Sequence, residues 1–576
     1  MVRKMLKYSV LVIMALLIFI WVWVIFPFWG TYPFNYYRYS PTQRTKIPAW
    51  VLKCWVWEDD INNAEATLEL VDGHLERDFP VGVVLIDSPW SLRYNDFIVD
   101  ESRFPEPEKF FKYFEDKGIR VVLWMTSMVN SKNDDTALID STEFYQEAKS
   151  KGYLVGKGTQ VKWWKGVGGF IDYTNPQAMN WWQDLQSNVL RYGIDGWKLD
   201  GSATLLRGQL GPIPTFFLKG YGGILTPRRY MDLYYTRELE NGRVYNPDFA
   251  TLSRSIDVPT PWAHPEGFSL LKASTVNWIG DTKHEWEYEK RGLEKAIHCI
   301  LWSAKLGYCV IGSDIAGYHG PEPIPADLYI RWTQFSTFCG LFLNGGHGER
   351  RMWKRSELEL ELVRKYSWLH TELIPYMYSY VHQWSEGGQP LMRPLKSGQY
   401  QYMFGDWLLV APIYQKSDTR TVVLPEGKWR WFFDDLEVIE GRQTLTRSYS
   451  IDTYPVYIKE GAIIPMDISR NYTGIGDKDW EGYITLNIYP YKESTFTLYY
   501  PENDYQLDIV VKKNDSITIE LNGSLEKHIL RILLPEEPSK VLKNGNVLTD
   551  GISYNEEKKR LIIRSEDTTA TKYEIM

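Results

Sequence analysis

Eight short apolar runs between residues 49 and 346, separated by stretches of helical character, constrain this chain's fold more than any other feature. They are AWVLKCWVW (49–57), PVGVVLID (80–87), IRVVLWM (119–125), IDGWKLD (194–200), FATLSR (249–254), TVNWIGD (275–281), YCVIGSD (308–314) and CGLFLNGG (339–346). Short continuous apolar runs bounded by turn residues read as strands buried on both faces, as in parallel sheets. Between them PEKFFKYFEDKG (107–118) and NPQAMNWWQDLQSNVLRYG (175–193) read as helices. Each closes on glycine, a common residue just past a helix end. Alternating strands and helices predict an α/β fold, and eight units suggest a (β/α)8 TIM barrel over residues 49–388. A doubly wound sheet shares the same local pattern.

The two architectures differ in where function sits, because a barrel gathers its working side chains at the carboxyl ends of its strands. Charged residues end these runs repeatedly: Asp87, Asp200, Arg254, Asp281 and Asp314. One or two could be helix N-caps, for which aspartate is favoured. Five from separate strands point to a site. Two carboxylates on different strand ends suffice to cleave a glycosidic bond, provided one stays ionised and the other holds a proton. Lys198 and Asp200 share a face of one strand by spacing alone, so the lysine is expected to keep Asp200 charged. Asp281 follows Trp278, whose apolar ring would favour a protonated acid.

Composition narrows the classes of function. A formal charge of −8 argues against nucleic-acid binding. The four cysteines, Cys54, Cys299, Cys309 and Cys339, are far apart and read as buried small side chains. No HExxH or histidine cluster implies a metal, and KGVGGF (165–170) lacks the lysine and hydroxyl of a phosphate loop, so it reads as a loop entering a short strand. No cofactor is expected. The 25 Trp and 39 Tyr suit sugar rings or a large core equally. Residues 9–30 are uncharged and follow Arg3, Lys4 and Lys7, which predicts a single-pass anchor (1–30) with the remainder on the non-cytoplasmic side; a cleaved signal peptide is the rival. A tether (31–48) follows, and beyond the barrel short strands with Gly, Pro and Asp turns predict two β-domains, 389–475 and 476–576.

Several of these stretches together resemble glycoside hydrolase family 31. GIDGWKLDG looks like the family's nucleophile strand, and VNWIGDTKHEW looks like the segment that carries its acid/base. IGSDIAGYHG resembles its sugar-binding aspartate segment, and LYIRWTQFSTFCGLFLNGGHG its last barrel helix and strand. VVLIDSPW and LSRS resemble further parts of its site, while FGDWLLVAPI, LPEGKWRWF and YPVYIKEGAIIPM resemble its β-domain after the barrel. The resemblance implies Asp200 as nucleophile and Asp281 as acid/base. It implies Asp87, Arg254, Asp314 and His347 as sugar ligands, with Lys198 and Trp278 lining the same site. The implied activity is that of a retaining exo-α-glycosidase on an oligosaccharide or glycoside, without metal. Lys198 stands where the family's α-glucosidases have tryptophan, which favours an α-galactoside over an α-glucoside or α-xyloside. A transglycosylase with the same two aspartates and a non-catalytic surface protein that binds carbohydrate are the alternatives. Oligomeric state is not legible.

Overall fold

The computed structural model describes residues 2–20, 43–201, 218–225, 227–258, 267–503 and 505–576. Each of the eight apolar runs contributes one strand to a single eight-stranded sheet: Cys54–Val56, Val81–Ile86, Arg120–Met125, Gly196–Leu199, Ala250–Arg254, Val276–Trp278, Ile311–Gly312 and Phe342–Asn344. The sheet follows chain order throughout, with the eighth strand pairing in parallel with the first. An isolated parallel bridge between Asp314 and Leu343 joins the exit of the seventh strand to the eighth. This cyclic order is the connectivity of a TIM barrel; a doubly wound sheet reverses its strand order at the centre.

The chain falls into two compact units. One comprises Met1–Thr45, Trp57–Leu68 and Val84–Gly280, and the other Lys46–Val56, Glu69–Val83 and Asp281–Met576. In the first unit the helix Pro107–Asp116 buries Phe110, Phe111 and Phe114, and the chain leaves it through Gly118 at φ 67°. The helix Pro176–Leu190 is capped by Asn175, whose side chain accepts from the backbone N–H groups of Gln177 and Ala178. After the third barrel strand an antiparallel three-stranded sheet intervenes, built from Met128–Asn133, Val161–Trp163 and Gly166–Phe170. The glycines of KGVGGF belong to its central strand. A Cβ on Gly168 would lie 2.6 Å from the carbonyl oxygen of Val129, so close strand approach explains the residue.

The second unit carries the helices Leu293–Lys305, Ala326–Thr337, Glu357–Glu372 and Ile374–Ser385, followed by strands. Met392–Pro394 to Val456–Lys459 supply a six-stranded sheet and a two-stranded ribbon. The chain from Ile463 onward supplies a five-stranded and a further six-stranded sheet. All four cysteines are buried, and none is in a disulfide among the described residues.

Two expectations need correction. The first apolar run is only half strand: Ala49–Leu52 is a 3-10 turn whose Trp50, Val51 and Leu52 are buried, so its apolar character reflects burial and not extension. The transmembrane anchor is not upheld, and with it fall the single-pass placement on the non-cytoplasmic side and the membrane as a partner. Among the described residues, no helix is long and apolar enough to cross a membrane. The helix Val2–Ile20 carries Arg3, Lys4 and Lys7 in its first two turns. Its uncharged part, residues 8–20, spans about 20 Å at roughly 1.5 Å per residue, against a hydrocarbon layer of about 30 Å. Trp21, Trp23, Trp29 and most of the predicted tether lie outside the described residues.

Candidate active site

Register brings together the candidate residues of the first unit. The fourth strand pairs with the third and the fifth so that Lys198 lies level with Trp124 and Leu252, and Leu199 with Ser253. One residue further on, Asp200 comes opposite Arg254, which is itself level with Trp278 on the sixth strand. A row of functional side chains therefore follows from parallel pairing and the two-residue period of strands.

Within that row the charges are paired. Arg254 Nη2 donates to Asp200 Oδ1 at 3.0 Å and Nε to the same oxygen at 3.3 Å. Arg254 Nη1 donates to Asp257 Oδ1 at 2.8 Å, so one guanidinium bridges two carboxylates. The backbone N–H of Gly201 also donates to Asp200 Oδ1, at 2.7 Å. Asp200 Oδ2 accepts the indole N–H of Trp124 at 3.3 Å. Lys198 Nζ donates to Asp87 Oδ2 at 2.6 Å, with both side chains nearly buried. The Lys198 ammonium lies 4.1 Å from the ring centre of Trp57 and 5.6 Å from that of Trp278, and the Arg254 guanidinium 4.9 Å from Trp278. The glycine after the sixth strand is required here: a Cβ on Gly280, at φ 85°, would lie 2.1 Å from Arg254 Nη1.

These contacts decide the state of Asp200. Burial alone would push its carboxyl upward, but the positive charges of Arg254 and then Lys198, helped by the Trp124 indole, hold it below the usual carboxylate range. Asp200 is therefore an anion at neutral pH. The sequence named Lys198 as the cation responsible; the structure gives Lys198 to Asp87 and makes Arg254 the direct partner. Spacing along one strand shows which face a residue takes, but not which neighbouring strand supplies its partner. Trp278 likewise packs beneath the two cations.

Asp281, Asp314 and His347 lie in the second unit. Asp314 is buried, and its carbonyl accepts from Gly317 N–H at 3.0 Å. The His347 backbone N–H donates to the Tyr318 carbonyl at 2.8 Å, and the two rings sit 4.9 Å apart. His319 is held below the usual imidazole range by burial, an effect that the negative charge of nearby Asp281 opposes. Asp281, His319, Tyr318 and His347 thus belong to one neighbourhood.

The structure adds Trp57, Trp124 and Asp257, which the sequence did not single out. The two tryptophans lie at strand ends like the charged residues, so strand-end position applied to aromatics would have found them. Asp257 lies in a loop and carries no such signal. Among the described residues, no group of three or more His, Cys, Asp or Glu side chains is disposed to hold a metal ion.

The chain is similar to known proteins over most of its length. The sequence pattern described as the glycosyl hydrolases family 31 TIM-barrel domain matches residues 45–380, and the pattern of that family's C-terminal domain matches residues 375–464. An alpha-xylosidase, XylQ, from Lactiplantibacillus pentosus is 27% identical over 463 residues, covering 74% of this chain and 56% of its own. Alpha-glucosidase 2 of Bacillus thermoamyloliquefaciens is 24% identical over 470 residues, covering 78% of this chain and 57% of its own. The chain thus spans somewhat over half the length of these curated relatives. Among solved structures, a Flavobacterium johnsoniae GH31 dextranase complexed with glucose superposes with a TM-score of 0.81 at 22% identity, covering 92% of this chain and 71% of its own.

Proposed function

The chain belongs to glycoside hydrolase family 31, and on that premise we propose that it cleaves terminal α-linked sugars with retention of anomeric configuration, using Asp200 as nucleophile and Asp281 as acid/base. The observation that carries the reading is the ionised Asp200 carboxylate at a barrel strand's carboxyl end, fixed by Arg254 at 3.0 Å. Oδ1 is engaged by Arg254 and Gly201, whereas among the described residues Oδ2 accepts the Trp124 indole alone. Oδ2 is the oxygen left to attack the anomeric carbon. As that bond forms, the bond to the leaving oxygen breaks and Asp281 gives that oxygen its proton. Asp281 then takes a proton from water, whose oxygen attacks the same carbon and releases Asp200. A sugar acceptor in place of water would make the reaction a transglycosylation.

Lys198 and Asp87 supply a donor and an acceptor for sugar hydroxyls, flanked by the faces of Trp57 and Trp278. Lys198 is also what favours an α-galactoside; relatives named for α-xylosides and α-glucosides make those the competing outcomes. A panel of p-nitrophenyl α-galactoside, α-glucoside, α-xyloside and α-fucoside tests both levels. Hydrolysis of one α-glycoside that Asp200→Asn abolishes supports the reading. Turnover of β-linked substrates alone would sink it.

A further inference from the structure

Arg350 is a heavily committed side chain of the second unit. It is 1% exposed, yet it lies in the run GERRMWKR, which reads as solvated charge. Its neighbour Arg351 behaves that way, pairing with Glu349 and Glu69 at the surface. Arg350 turns inward. Nη1 donates to the carbonyl of Ile315 at 2.5 Å, and Nη2 to the carbonyls of Gly317 at 2.7 Å and His347 at 2.8 Å. Nε reaches the His347 carbonyl at 3.1 Å, and Nη2 lies 3.3 Å from His284 Nε2.

These partners belong to three different segments. His284 is three residues after Asp281, Ile315 is the residue after Asp314, and His347 is itself a candidate sugar ligand. The segments are knit to each other as well: Tyr318 N–H donates to the Thr282 carbonyl, His284 N–H to His319, and His347 N–H to Tyr318. Little room surrounds this knot. A Cβ on Gly346 would lie 2.6 Å from the Tyr318 carbonyl oxygen, and one on Gly317 would lie 2.5 Å from the carbonyl carbon of Lys283. His284 completes the fit. Burial, reinforced by the charge of Arg350, lowers its pKa to about 4, so its Nε2 is an acceptor for Arg350 while Nδ1–H donates to the Pro321 carbonyl at 3.3 Å.

We infer that Arg350 is a positioning residue that clasps the segments bearing Asp281, Asp314 and His347 and thereby fixes the acid/base for proton transfer. A planar guanidinium can satisfy several carbonyls at fixed angles at once, which an ammonium cannot. The inference rests on the proposed role of Asp281.

The test is a leaving-group series on the full chain. Because the clasp acts through the proton donor, Arg350→Ala loses about 100-fold or more in turnover of an alkyl α-glycoside, the scale of general-acid catalysis. Its kcat/KM, which reports glycosylation and not the later attack of water, falls little on a glycosyl fluoride or dinitrophenyl glycoside, whose leaving groups need no proton. Added guanidinium restores part of the loss, and Arg350→Lys falls between. An equal loss on both substrate types without guanidinium rescue would mark Arg350 as merely structural and overturn the inference, as would wild-type turnover of the alkyl glycoside. Should Arg350→Ala not fold, Arg350→Lys is read by the same ratio. Should the wild type cleave no α-glycoside, the proposed function fails on its own account. Amide exchange in residues 315–319 and 345–349 then reads the clasp: faster exchange in Arg350→Lys is expected, and unchanged exchange refutes it.

Discussion

The two units hold their candidate functional residues by different means. In the unit bearing Asp200, side chains hold side chains: Arg254 bridges Asp200 and Asp257, and Lys198 pairs with Asp87 between two indoles. In the unit bearing Asp281, one guanidinium holds backbone carbonyls. The first arrangement sets charge and the second sets position. A nucleophile must be an anion, so the groups around it fix its protonation. A proton donor must be correctly placed against the leaving oxygen, and in that unit the grip falls on the backbone of the surrounding segments.

Substitutions can break this contrast, beginning with the largest effect. Asp200→Asn removes the attacking oxygen and is expected to lower turnover by roughly four orders of magnitude or more, the scale seen when a nucleophile is deleted. Arg254→Ala comes next and tests charge directly. Without the cation, the carboxyl of Asp200 rises toward and beyond its usual range. It must be ionised to attack, so the acid limb of kcat/KM should move to higher pH, by about one to three units. An acid limb that stays in place would show that Arg254 does not set the charge of Asp200. Lys198→Met leaves Asp87 buried without its ammonium, and breaking such a pair from one side costs roughly 3–5 kcal/mol. A lower urea midpoint for the first unfolding transition measures this, and Lys198→Met with Asp87→Asn should recover part of it.

The smallest effect serves as a control in the second unit. Ser356 caps the helix Glu357–Glu372, accepting from the Glu359 N–H while the Glu359 carboxylate accepts from the Ser356 N–H. Ser356→Ala should cost about 1 kcal/mol of stability. It should leave leaving-group dependence unchanged, which separates general loosening of this unit from loss of the clasp.

Much of this was legible in the sequence because barrel strands are buried on both faces and announce themselves as apolar runs closed by a charged residue. Asp200 and Arg254 were visible on that ground. The sheet over Met128–Phe170 was not, because its strands are short and its glycines look like loop. The run 49–57 misled at one end, since burial of Trp50 and Leu52 needs no strand. The amino-terminal segment misled because its uncharged count ran over residues 9–30, whereas the described helix Val2–Ile20 shares only residues 9–20 with it. Arg350 was invisible because a buried arginine and a solvated one are written alike.

A nucleophilic Asp200 becomes covalently bonded to the sugar during each cycle. The direct measurement is to trap that bond with a fluorinated glycosyl fluoride, whose glycosyl-enzyme hydrolyses slowly, and to map the label by peptide mass spectrometry. One sugar per chain is expected, on the peptide containing Asp200, and none in Asp200→Asn. A label on a different carboxylate, or turnover with inversion and no label, would contradict it.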